Sequence, residues 1–135
     1  MKPDLTPGVS AEIRFVVTEE MCPHFHGVMK HPVCATWTIV HQMELAGRKL
    51  LEPHLEAQEE GIGAHISIDH ISPAVIGSEV VVRATATEIA SRKLVADVEA
   101  YCADRLLARG RFVQIILPKA RLAALFDENA PPASD

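Results

Sequence analysis

At 135 residues, 48% of them hydrophobic and 23% charged, the chain has the length and apolar content of a single domain with one core. A formal charge of −5, with no Lys/Arg run longer than a pair, leaves no electrostatic footprint for nucleic acid or an anionic membrane surface. The three cysteines, Cys22, Cys34 and Cys102, are widely spaced without a CxxC pair and imply no disulfide framework, while the absence of an N-terminal apolar h-region or a membrane-length apolar run predicts a soluble, cytoplasmic protein.

The first element is a strand over 12–17, where Ile13, Phe15 and Val17 share one face with the period of two expected of a half-buried strand. Residues 18–31 have neither helical nor strand period and read as a mobile loop or lid. Pro32 suits a first helical turn, and from Val33 the apolar residues recur at three and four positions until Pro53 stops the run, which predicts a helix of about five turns. A second strand follows, with Ala64, Ile66 and Ile68 on one face and Ser72-Pro73 closing it. Residues 79–89, 93–103 and 107–117, separated by short turns, form an antiparallel meander. The domain is therefore expected over residues 1–118. The remainder, 119–135, is expected to be a tail with a short helix near 122–126 and a disordered end, since residues 129–135 have little to bury.

One long helix this apolar needs a sheet to cover it. The order β-α-β-β-β-β is that of an α+β hotdog fold, a central helix wrapped by a five-stranded antiparallel sheet, and is shared by other α+β arrangements. So few elements bury little in a monomer, and a homodimer that extends the sheet is expected.

Three polar residues fall where apolar ones belong. With about 100° per residue, Val33, Val40, Met43, Gly47 and Leu51 share one arc, and Glu44 lies within it. Burying that arc desolvates a carboxylate unless Glu44 sits at the rim, where it would pair with Arg48 or reach water. Buried, it becomes a candidate base, nucleophile or histidine-orienting group. Thr36 falls in the same arc, either as an ordinary first-turn threonine bonded to backbone or as a site residue, about 12 Å from Glu44 along a straight helix. His70 continues the parity of Ala64, Ile66 and Ile68 and turns its imidazole toward the interior, either as a core histidine or as an acid/base partner.

Other features carry less. Cys22, His24 and His26 lack a suitably spaced fourth ligand, so no metal is expected. Cys34 lies among apolar neighbours and reads as a packed thiol. Gly61 and Gly63 serve turn geometry or, functionally, let a thioester approach backbone N–H groups near Gly63 and Ala64. An anionic ligand would need a basic patch, for which Arg48, Lys49, Arg92 and Lys93 are the candidates.

The runs His31-Pro-Val-Cys-Ala-Thr-Trp-Thr-Ile-Val-His-Gln-Met-Glu-Leu-Ala, Leu51-Glu-Pro-His-Leu and Gly61-Ile-Gly-Ala-His-Ile-Ser-Ile-Asp-His resemble the fluoroacetyl-CoA thioesterase family. The resemblance covers roughly residues 10–118. Its motifs are an Ala-Thr pair opening the helix, a Met-Glu pair eight residues later and a histidine seven residues after a glycine. Here these are Ala35-Thr36, Met43-Glu44, and Gly63 with His70.

The resemblance implies a hotdog homodimer with its site at the subunit interface, hydrolysing a small or medium acyl-CoA without a further cofactor. Thr36 would position the thioester, Glu44 would attack it or activate water, and His70 would manage protons. Two departures stand out. Members that discriminate fluorinated substrate resemble one another in a Phe-rich lid, whereas Phe25 is the one phenylalanine in that stretch here, so the resemblance does not carry fluoroacetyl-CoA specificity. A family arginine on the last strand is replaced, with Gln114 its nearest counterpart. The competing readings are a hotdog hydratase or dehydratase on acyl thioesters and a non-catalytic acyl-CoA-binding module. A hydratase would be expected to carry its histidine on the helix or in a loop motif, and a mere binder has no reason to bury Glu44.

Overall fold

The computed structural model describes residues 1–133. Strand β1 (Ser10–Val16) leads through a 3-10 turn (Glu19–Met21) into a small hairpin, β2 (His24–Phe25) and β3 (Val28–Met29), and then into helix α1 (Thr36–Leu51). A second 3-10 turn (Glu52–His54) is followed by β4 (Glu59–His70), β5 (Glu79–Ala90), β6 (Lys93–Cys102), β7 (Arg105–Pro118) and helix α2 (Lys119–Glu128). The five long strands form one antiparallel sheet in the order β1-β5-β6-β7-β4, with α1 packed on one face. This is the α+β arrangement expected, a long helix wrapped by a five-stranded sheet. Among the described residues no helix is long and apolar enough to cross a membrane.

Alternation explains the sheet. Val80, Val82, Ala84 and Ala86 of β5 point inward and are buried, as are Leu94, Ala96, Val98 and Ala100 of β6, and they meet Ile39, Met43, Ala46, Leu50 and Leu51 of α1. The helix comes unusually close to the sheet. A Cβ on Gly47 would lie 2.4 Å from the Phe112 ring, and one on Gly61 would lie 2.4 Å from Leu51. Gln114, only 3% exposed, satisfies its amide in this layer by donating from Nε2 to the Gly47 carbonyl at 3.0 Å.

Several local expectations need correction. The helix starts at Thr36 and not near Val33, because the segment before it is held extended: Val33 bridges Val75, Cys34 donates to the Ala74 carbonyl and Ala35 to that of Met21, each at 2.8 Å, and Ala35 itself has extended backbone angles. The 18–31 stretch is a 3-10 turn and a hairpin whose tip, His26-Gly27, takes positive φ at both residues. Gly61 and Gly63 lie inside a strand and not at a turn. β4 begins at Glu59 because β7 pairs with it from Pro118 inward, and its register slips between Gly63 and His65, leaving Ala64 unpaired in a bulge. The tail helix is longer than expected. It is closed by Asn129, whose side-chain amide donates to the Leu125 carbonyl. The disorder expected of the chain's end falls partly on residues 134–135, which lie outside the described residues.

Alanine is favoured over glycine in a helix by about 1 kcal/mol. At position 47 the methyl would overlap a ring that is itself buried, and overpacking costs about 1–3 kcal/mol. We therefore expect Gly47→Ala to lower unfolding stability in urea denaturation. A more stable variant would show that the helix has room to lift.

Candidate active site

The face of α1 that the sheet does not cover carries Thr36, Trp37, His41, Glu44 and Leu45, all exposed. Trp37 is 53% exposed and stacks edge-on against Phe25 of the hairpin, with ring centroids 5.8 Å apart. The sheet's β4 edge runs beside this face.

Thr36 does not bond to backbone in the manner of a first-turn threonine. Its Oγ1 lies 2.8 Å from His70 Nδ1, linking the start of the helix to the end of β4. Which atom donates depends on the histidine tautomer. The parity that turned His70 inward holds, since Ile66, Ile68 and His70 are all partly buried while Ser67 and Asp69 are exposed. The other ring nitrogen, Nε2, is buried and has no hydrogen-bond partner among the described residues. A buried nitrogen in that state costs free energy until something supplies a partner.

Glu44 stands elsewhere. Of the two readings open to it, burial within the arc is not realised and the rim is, for Glu44 is exposed. The helix leans on β5 and β1, so its buried face is Ile39, Met43, Ala46, Gly47, Leu50 and Leu51, and Glu44 falls at the rim. The expected rim pairing with Arg48 is not made either. Arg48 donates to Glu52 and to the Gly61 carbonyl and forms an ion pair with Glu60. Glu44 instead lies over Gly63: a Cβ at that position would be 3.3 Å from Oε1 and 3.4 Å from the Phe112 ring. Gly63 is paired across the sheet with Gln114, whose side chain turns instead to the Gly47 carbonyl. The single chain thus holds two separate polar groups, Thr36 with His70 and Glu44 with Gly63, and it does not bring Glu44 to His70.

The four candidate cations do not make one patch. Arg48 turns toward β4, Lys49 donates to the Glu12 carbonyl on the opposite side of the helix, and Lys93 pairs with Glu88. Arg92 stands in the β5–β6 turn beside Lys93. Cys22 is buried, and His24 Nδ1 bonds to its carbonyl at 2.8 Å. Among the described residues no three His, Cys, Asp or Glu side chains converge as metal ligands. Burial pushes the Cys34 thiol up to about 11, which suits a packed residue and not a nucleophile. Trp37 was overlooked in the sequence, although a tryptophan directly after Thr36 on an otherwise apolar helix was a visible signal.

A helix wrapped by a five-stranded antiparallel sheet, with polar groups along its uncovered side, is the hotdog arrangement of thioesterase-superfamily proteins. The family model for FlK, the fluoroacetyl-CoA-specific thioesterase, matches residues 17–120. A solved Thermus thermophilus protein of the thioesterase superfamily is 42% identical, with 95% of this chain and 94% of that one covered and a TM-score of 0.89. An FlK structure is 23% identical over 94% of this chain and 98% of that one, with a TM-score of 0.83. A hot-dog-like protein of Thermanaerovibrio acidaminovorans is 15% identical over 98% and 96%, with a TM-score of 0.85. One FlK structure carries acetyl-CoA and another fluoroacetate with CoA. No curated protein matches. The chain belongs to the FlK thioesterase family and is a thioester hydrolase.

Two outcomes follow from the geometry. In the folded protein at about pH 8, iodoacetamide should modify the partly exposed Cys102 and spare Cys34 and Cys22, whose thiols burial keeps protonated. Rapid labelling of Cys34 would contradict its packing. Gly63→Ala, whose methyl presses on Glu44 and Phe112 without touching Thr36 or His70, should keep the fold and lower turnover about tenfold or more, read as kcat beside the melting temperature.

Proposed function

We propose that the chain hydrolyses a small or medium acyl-CoA thioester as a cytoplasmic homodimer. Thr36 and His70 of one protomer meet Glu44, Gly63 and Ala64 of the second copy. The observation that carries this reading is the 2.8 Å Thr36–His70 hydrogen bond, which occupies Nδ1 and leaves a buried Nε2 without a partner among the described residues. A ring held at one nitrogen and free at the other is what a proton-transfer group requires. The separation of Glu44 from that pair within one chain supports a second copy as the source of the carboxylate. So does the exposed edge strand between them, with its unpaired backbone groups and Ile62 at its surface.

In this reading the acyl carbonyl lies along the bulge at Gly63 and Ala64. Gly63 lets the thioester and Glu44 approach the strand, and the Ala64 amide supports the developing oxyanion. Glu44 either takes a proton from a water that attacks the acyl carbon or attacks the carbon itself, the resulting anhydride then being opened by water. Collapse breaks the C–S bond, and His70 Nε2 gives a proton to the departing thiolate. The sum is thioester plus water to carboxylic acid plus thiol, with no other reactant. Thr36 holds the imidazole in the required orientation. One phenylalanine in the hairpin, Phe25 beside Trp37, supports an acyl group other than fluoroacetyl as the preferred substrate.

The test is thiol release from acetyl-, haloacetyl-, butyryl-, aryl- and long-chain acyl-CoAs. We expect turnover on at least one, lowered about 100-fold or more in Glu44→Ala and in His70→Ala and less severely in Thr36→Ala. Wild-type rates in Glu44→Ala and His70→Ala would end the assignment of these residues. No hydrolysis across the panel would end the substrate reading.

A further inference from the structure

The Thr36–His70 hydrogen bond joins two elements far apart in the chain, and something must fix their separation. Thr36 follows an extended segment that is tied to the loop after β4: Cys34 donates to the Ala74 carbonyl, Ile76 donates to the Pro32 carbonyl at 3.1 Å, and Val33 bridges Val75. His70 is held from the other side, paired with Ala108 on β7. Only residues 71–73 connect these anchors, so the path of that short segment sets where Thr36 stands relative to the imidazole.

Ile71 and Ser72 N–H both donate to the Leu107 carbonyl, at 2.7 and 3.1 Å, and a charged side chain clamps the stretch that follows. Arg105, at the start of β7, donates from Nη1 to Ser72 Oγ at 2.9 Å and to the Pro73 carbonyl at 2.6 Å, while Ser72 Oγ donates to the Leu106 carbonyl at 2.9 Å. The strand that holds His70 thereby also grips the loop that docks the start of α1. Arg105 is exposed, so these bonds add little to global stability. Their effect on geometry is another matter, because proton transfer is sensitive to displacements well below 1 Å.

We propose that Arg105 is a positioning residue for the Thr36–His70 pair, acting through Ser72 and Pro73 without touching the reacting atoms. The proposal rests on the thioesterase site described above. A planar guanidinium reaches both acceptors, whereas a lysine ammonium can replace only part of that grip.

The experiment has two readouts. Kinetics on the best thioester of the panel compare wild type, Arg105→Ala, Arg105→Lys, Thr36→Ala and the Arg105→Ala/Thr36→Ala double variant, each checked for a melting temperature within about 3 °C of wild type. We expect Arg105→Ala to lower kcat about ten- to hundredfold with KM changed less than about twofold, and Arg105→Lys to recover part of the loss. In the Thr36→Ala background, Arg105→Ala should cost less than about a further twofold, because the contact it maintains is already gone. The second readout needs no turnover: the 15N shift of His70 Nδ1, the nitrogen bonded to Thr36, should move in Arg105→Ala toward its value in Thr36→Ala.

Losses that multiply fully in the double variant, a loss confined to KM, or an unchanged Nδ1 shift with unchanged kcat would each overturn the proposal. A wild-type protein that cleaves no thioester retires the functional reading, while the ring spectra still decide whether Arg105 positions His70.

Discussion

Helix α1 rides on the sheet at a distance that only a glycine at position 47 permits, and the placement of the polar residues follows from that closeness. The Phe112 ring fills the space where a side chain would be, and the buried Gln114 amide holds the Gly47 carbonyl from below. One turn earlier along the helix, Glu44 comes down onto Gly63. Three turns earlier, Thr36 reaches His70. A helix lifted by a methyl group would disturb both contacts at once.

The same geometry divides the polar residues. β4 runs along the helix as the open edge of the sheet, so one of its ends serves Thr36 and a position near its start serves Glu44. Neither group is complete for hydrolysis alone. Among the described residues the histidine has a proton-transfer nitrogen without a partner, and the Glu44 carboxylate makes no hydrogen bond or ion pair. An antiparallel meeting of two β4 edges about a twofold axis would bring the end of one strand toward the start of the other. This is the physical basis for proposing a shared site.

Much of this was legible in the residues. Alternation located β5, β6 and β7 because each buries one face only, and the spacing of Thr36, Glu44 and His70 pointed to one family. The inward turn of His70 was read correctly because the bulge at Ala64 precedes Ile66; a bulge after Ile68 would have sent the imidazole to the other face. Whether Glu44 would be buried or stand at the rim was not legible, because helical periodicity gives the width of an apolar arc but not which part of it a neighbouring sheet covers. The hairpin at 24–29 escaped notice because His26-Gly27 is not one of the common turn pairs. The reason for Gly47 was invisible too, since it lies in the Phe112 ring more than sixty residues away.

The most direct test of a site shared between two copies is subunit complementation. Glu44→Ala and His70→Ala chains, each inactive as a homodimer, would be co-expressed with different tags and the mixed dimer purified. If Glu44 of one protomer serves His70 of the other, both lesions fall in one site and leave the second intact, and the mixed dimer should regain about half of wild-type turnover. A mixed dimer as inactive as its parents would place both residues in the same protomer's site and contradict the account.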